Sequence, residues 1–197
     1  MAVSMADITK LRKMTGAGMM DCKNALTESE GDFDKAVEII RKKGQAVAAK
    51  RSDRETSEGC VLAKSTGDYA AMIALKCETD FVAKNPEFTG LVNDIATAIL
   101  GSNVSTVEEA NKLEVNGTSI ENMIVEKTAT IGEKLSFRRF ELVEKQDNQV
   151  FGTYSHMGGK IVTLAVLEGT DAEVAKDVAM QIAAMRPLYL DKDSVPS

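Results

Sequence analysis

One histidine and three cysteines are all that this 197-residue chain offers of the side chains most used for metal sites and nucleophile–base pairs. Cys22, Cys60 and Cys77 are odd in number and widely spaced, and no CxxC occurs, so neither a zinc site nor a dithiol redox motif is indicated. Buried thiols in a reducing compartment are the expectation. His156 stands alone, whereas a triad-type mechanism needs a nucleophile, a base and an orienter together. An enzymatic reading would have to pair Cys77 with His156, and we expect no enzyme, no cofactor and no metal. Long apolar runs are missing too: nothing approaches the roughly 20 residues that span a bilayer. Met1 to Lys13 carries charge where a signal peptide has a long uncharged core, so a cytoplasmic protein without a membrane segment is expected. Positive charge is in deficit, with 24 Lys+Arg against 30 Asp+Glu and a net charge of −6. That balance argues against direct nucleic-acid binding. The deficit is uneven. Residues 1–54 hold 11 basic and 8 acidic side chains, a net of +3, and the remainder holds 13 and 22, a net of −9. A basic head on an acidic body points to a protein partner.

What is present suits a folded chain of one medium or two small domains, with 44% hydrophobic and 27% charged residues. Three short helices come first. Ser4 with Asp7 approximates a capping box, and Ile8 and Leu11 form a stripe that stops at Thr15-Gly16. A second stripe, Met19, Cys22 and Leu26, ends by Gly31. Asp32 caps a third with Phe33, Ala36, Val37 and Ile40, and Gly44 is expected to close it. A core this small is marginal alone, and such bundles commonly serve as binding modules. We therefore set residues 1–44 as a three-helix bundle and 45–58 as a partly helical, charged linker.

From Gly59 the period changes to that of strands. Cys60 to Lys64 and Tyr69 to Cys77 flank Ser65-Thr66-Gly67-Asp68 as a hairpin. Asn85-Pro86 opens a helix with Phe88, Leu91, Val92, Ile95 and Ile99 on its buried face, and Gly101 ends it. A helix over roughly Ser119 to Ile131 and a strand over Leu135 to Val143 follow. Then the pattern recurs. Val150 to Ser155 and Lys160 to Leu167 are strands around Met157-Gly158-Gly159, and Thr170 with Glu173 predicts a capped helix lined by Val174, Val178, Ile182 and Met185. Both halves read strand, turn, strand, Thr-Asp, helix, a weak internal duplication offset by about 90 residues. The fold class expected is α+β with antiparallel sheets: residues 59–143 as the first core copy and 144–197 as a partial second.

Several residues stand out for binding. Phe81 follows Thr79-Asp80, whereas the second copy has Ala172 after Thr170-Asp171. An aromatic exposed for a partner and a core residue starting the next helix are equally open for Phe81. Burial of such a ring by a partner would contribute roughly 1.5–3 kcal/mol. Asp80 is a turn cap or a carboxylate presented to a partner's metal or phosphate region. Thr15-Gly16-Ala17-Gly18 lacks the GK[ST] ending of a phosphate loop and follows a helix, so nucleotide binding is not indicated. Met19 and Met20 point in different directions on a helix, so at most one faces the core and the other is a candidate contact.

Two long stretches resemble a known family. Leu11-Arg12-Lys13-Met14-Thr15-Gly16-Ala17-Gly18-Met19-Met20-Asp21-Cys22-Lys23-Asn24-Ala25-Leu26 is similar to the N-terminal signature of elongation factor Ts, and Lys76-Cys77-Glu78-Thr79-Asp80-Phe81-Val82-Ala83-Lys84-Asn85 to its second signature. Ile131-Gly132-Glu133-Lys134, Arg138-Arg139-Phe140, His156 to Val166 and Val178 to Pro187 match further. The resemblance implies a ubiquitin-associated-type (UBA-like) head and a guanine-nucleotide exchange factor for elongation factor Tu. It also implies roles: Arg12, Met19, Met20 and Lys23 would dock on the partner's GTPase domain, with Arg51 supporting. Thr79, Asp80 and Phe81 would be the active loop, Phe81 as a wedge and Asp80 disturbing the magnesium region, and His156 a further contact. The family's long form continues beyond a segment like Tyr189 to Pro196 with a helical hairpin and closing elements. Without them an open sheet edge favours self-association. The rival from another class is a scaffold or chaperone-like binder that causes no exchange.

Overall fold

The structure, a computed structural model, describes residues 3–196; residues 1, 2 and 197, at the ends of the first and last expected segments, lie outside it. Helix α1, Met5–Thr15, starts at Ser4, whose hydroxyl accepts from the Asp7 N–H (3.1 Å) while the Asp7 carboxylate accepts from the Ser4 N–H (3.3 Å). Gly16, at φ 69°, closes it in the left-handed conformation. Helix α2, Met19–Glu28, buries Cys22, Ala25 and Leu26; Met19, contrary to the expected stripe, is 37% exposed, because as the first residue of α2 it lies outside the core of the head. Asp32 caps helix α3, Phe33–Lys50, by accepting from the Lys35 N–H (3.1 Å).

Gly44 does not end α3. Gln45-Ala46-Val47-Ala48-Ala49-Lys50 are mostly good helix formers and carry the helix through a single glycine, whose cost is about 1 kcal/mol. Gly44 is buried where α3 crosses α7, with a Cβ there 3.5 Å from that of Ala129. The glycine is therefore a point of close helix approach. Ile8, Leu11, Ala17, Cys22, Ala25, Leu26 and Ala36 make a small core of the head, and Arg41 pairs with Glu126 (3.5 Å) across the junction with the body.

Strands β1, Glu58–Thr66, and β2, Tyr69–Cys77, pair antiparallel about a tight turn with Gly67 at φ 54°. After a single turn, α4, Asp80–Ala83, comes α5, Pro86–Leu100, with Asn85 as cap and Pro86 at its start. Phe88, Leu91, Val92, Ile95 and Ile99 of α5 are buried, as expected, with Ala71, Ile73, Leu75 and Cys77, alternate residues of β2. A short helix α6, Val107–Ala110, and a two-residue ribbon, β3 Glu114–Val115 with β4 Thr118–Ser119, had no clear periodic signal. Helix α7, Ile120–Ile131, ends at Gly132 (φ 86°), and β5, Ser136–Glu144, completes a sheet in the order β1-β2-β5. Arg138 is the extra residue of a bulge, since Ala74 faces Arg139 and Leu75 faces Phe137.

Strands β6, Gln149–His156, and β7, Ile161–Glu168, form a separate two-stranded sheet covered by α8, Ala172–Met185. Two expectations are corrected here. The cap is Asp171, which accepts from the N–H groups of Glu173 (3.0 Å) and Val174 (2.9 Å), and not Thr170. The buried face of α8 is Ala175, Ala179 and Ala183; Val174 and Met185 are exposed and Val178 and Ile182 half-buried. The reason is distance: Gly152 on β6 brings α8 so near that a Cβ there would meet the Ala175 carbonyl oxygen, and only alanines fit such an approach. The architecture is thus α+β with antiparallel sheets. Among the described residues no helix is long and apolar enough to cross a membrane.

Candidate functional site

The chain leaves β2 at Cys77 and enters α4 through Glu78 and Thr79. The Thr79 hydroxyl caps α4, accepting from the Val82 N–H (3.4 Å). Val82 and Ala83 then point into the core, which turns the intervening Phe81 outward. Phe81 is 82% exposed, unusually bare for an aromatic on a hydrogen-bonded helix in the middle of a domain. Of the two readings of Phe81, the core residue is excluded. Asp80 beside it pairs with Lys84 one turn on (2.9 Å). That hydrogen bond and charge, with Lys160 adding, hold its carboxyl below the ordinary value.

The loop is held from beneath. Thr79 donates both its N–H, to Glu133 Oε2 (3.0 Å), and its hydroxyl, to Glu133 Oε1 (2.6 Å). Glu78 accepts from the Lys134 N–H (2.6 Å) and from Arg54 (3.0 Å), with Arg51 at 3.9 Å. The Lys134 hydrogen bond, followed by Arg54 and Arg51, depresses the Glu78 pKa. Lys134 also reaches the Arg54 carbonyl (2.8 Å), so the segment after α7 fastens the linker and the loop together.

The β6–β7 turn lies against the same sheet. The Val61 N–H donates to the Gly159 carbonyl (2.8 Å), and Lys160 pairs with Glu58 (3.4 Å). Gly159, at φ 91°, admits no side chain, since a Cβ there would press on Cys60 Sγ at 2.6 Å and the Val61 carbonyl at 2.7 Å. His156, exposed at the end of β6, has Nδ1 3.2 Å from the Tyr154 hydroxyl. Cys77 is buried and donates to the Thr79 carbonyl (3.2 Å); burial first, then the Glu133 charge, push its thiol up to about 11. No hydrogen bond joins Cys77 to His156 among the described residues.

The structure therefore groups Thr79, Asp80 and Phe81 with Arg51, and sets the turn that follows His156 nearby through Lys160. The head residues Arg12, Met19, Met20 and Lys23 are all exposed, with Met19, Met20 and Lys23 together in the first turns of α2. Among the described residues no hydrogen bond or ion pair ties them to the loop. The cleft of about 420 Å³ where the α1–α2 turn and α3 meet α7 includes none of the loop residues in its lining. Sequence reasoning missed the roles of Glu78, Arg54, Glu133, Lys134 and Lys160. Glu133 lies 54 positions from Thr79, and no periodicity links such distant residues.

A family model described as "Elongation factor TS" matches residues 78–197. Elongation factor Ts of Bacteroides thetaiotaomicron is 55% identical over 197 residues, covering 99% of this chain and 59% of its own length. The proteins of the same name from Phocaeicola vulgatus and Parabacteroides distasonis are each 52% identical, covering 100% of this chain and 59% of their own length. The chain thus spans 59% of the length of these curated relatives.

Proposed function

The chain belongs to the elongation factor Ts family, and from that membership we propose that it binds elongation factor Tu carrying GDP and promotes release of the nucleotide during translation elongation, in the cytoplasm. The observation that carries the reading is Phe81: a bare ring on a helical turn that is capped and fastened underneath. An exposed ring on a fixed base costs little to order when a partner's pocket receives it. Roughly 1.5–3 kcal/mol from its burial corresponds to about one to two powers of ten in affinity. Where that burial is compatible only with a partner that has loosened its nucleotide, the coupling is reciprocal: the ring weakens GDP by the factor that GDP weakens the ring. Asp80, ionised beside it, is the charge to perturb a cation or phosphate site.

In this proposal the head is a UBA-like docking module that uses Arg12, Met19, Met20 and Lys23, His156 touches the partner from the second sheet, and the body is a duplicated hairpin–helix unit. The protein takes no cofactor and performs no covalent chemistry, consistent with a Cys77 thiol that burial keeps protonated. The test is release of a fluorescent GDP analogue from elongation factor Tu, with the chain as it stands and with Phe81→Ala. Fast release with the unaltered chain and little with the variant is expected. Binding without any stimulation would favour the scaffold reading, and equal stimulation by both would remove the wedge.

A further inference from the structure

Phe81 has almost nothing of its own to hold it. With 82% of its surface in water, its direction is set by the backbone of α4, a helix of four residues too short to be stable by itself. The hydrophobic anchors Val82 and Ala83 secure the far side of the turn. The near side, where the chain leaves β2, is secured by one carboxylate. Glu133 takes both donors of Thr79, the N–H at 3.0 Å and the hydroxyl at 2.6 Å, and the hydroxyl so oriented turns its lone pairs to the Val82 N–H. Glu133 is itself placed by rigid neighbours: Gly132 closes α7 in the left-handed conformation, and Lys134 is tied by its N–H to Glu78.

We propose that Glu133 is a positioning residue for nucleotide exchange, a two-pronged acceptor that locks Thr79 and thereby aims Phe81. The inference rests on the exchange reading above and adds to it a residue that does not itself present to the partner. Two acceptors on one planar carboxylate fix orientation as well as distance, which a single hydrogen bond does not. Without them the turn samples several directions, and the presenting geometry becomes one conformer among others, lowering the apparent strength of the wedge by the lost fraction.

The experiment is a double-mutant cycle on GDP-analogue release from elongation factor Tu, using the full chain with Glu133→Ala, Phe81→Ala, both together, and Glu133→Gln. Glu133→Ala should slow stimulated release on the order of tenfold, and should add nothing once Phe81 is gone, because it acts only through that ring. Glu133→Gln should stay within about twofold of the unaltered chain, since the amide oxygen accepts from the Thr79 N–H while its NH₂ donates to the hydroxyl. Unimpaired release by Glu133→Ala beside a defective Phe81→Ala overturns the proposal and leaves the exchange reading standing. So does a Glu133→Ala defect of equal size with and without Phe81, which marks general destabilisation. Failure of the exchange reading shows separately, in the unaltered chain and Phe81→Ala. Hydrogen exchange at the Thr79 amide gives a readout without the partner: faster exchange in Glu133→Ala and protection in Glu133→Gln are expected, and unchanged protection in Glu133→Ala overturns the clamp.

Discussion

The molecule contains two hairpins each followed by a helix, and they use that arrangement differently. In the first, β1–β2 gains a third strand, β5, and α5 packs large side chains such as Phe88, Leu91 and Ile95 into the sheet. In the second, β6–β7 stays two-stranded, and α8 lies close on an alanine face allowed by Gly152, leaving Val174 and Met185 in water. Their exits differ by one residue. Thr79 caps α4, the single turn that follows the first hairpin, and Asp171, not Thr170, caps α8, which follows the second. Counted from the caps, Phe81 therefore corresponds to Glu173 and not to Ala172. Both occupy the second helical position, and both face solvent. This position is therefore a surface one after either hairpin, so an aromatic there is held outward by the geometry of the turn.

The largest test of the contrast is in the two cores. Phe88→Ala, at a fully buried site, should cost about 3–5 kcal/mol in urea unfolding, whereas Ile182→Ala, half-buried, should cost under about 1 kcal/mol. Equal losses would mean that the outer stripe of α8 is covered in solution. Next comes helix approach. Gly152→Ala should destabilise by about 1–3 kcal/mol by pushing α8 away. Gly90→Ala, on the exposed face of α5 with open space around its Cβ, should stabilise by about 0.4–1 kcal/mol; thermal melts would separate the two signs. The caps give a smaller effect: Asp171→Ala should lose about 1 kcal/mol and Thr170→Ala under about 0.5 kcal/mol. A larger loss at Thr170 would restore the simpler alignment of the two exits.

The smallest effect concerns acid. The folded pKa of Glu78 lies below the ordinary 4.5, so its contribution is present above that value and lost as pH falls through the lower folded one. Amides from Glu78 to Phe81 should lose protection from exchange in that acidic window before those of α5 do. Glu78→Gln should flatten this dependence, and an unchanged pH profile would show that Lys134 and Arg54 do not hold the loop through Glu78.

Much of the architecture was legible along the chain because local rules set it: the Ser4 and Asp32 caps, the Gly67 turn, Asn85-Pro86 and the alternation of β2 each involve residues within a few positions. Gly44 misled because a glycine that ends a helix and one that admits a neighbouring helix look alike until α7 is in place. The α8 face misled for the same reason. Val174, Val178, Ile182 and Met185 make the more apolar stripe, yet the distance imposed by Gly152 selected the alanines. For the site, the sequence supplied Thr79, Asp80 and Phe81 as candidates but left open whether the ring was buried.

By itself, then, the sequence determined what depends on neighbours in the chain: the helix starts, the hairpins, the charge asymmetry and the signatures of the family. The tertiary structure alone decided which way Phe81 points, which stripe α8 buries and what holds the loop. Glu133 reaches Thr79, and Arg54 reaches Glu78, across separations of 54 and 24 residues. Such contacts come into being only when α7, β2 and the linker are packed side by side.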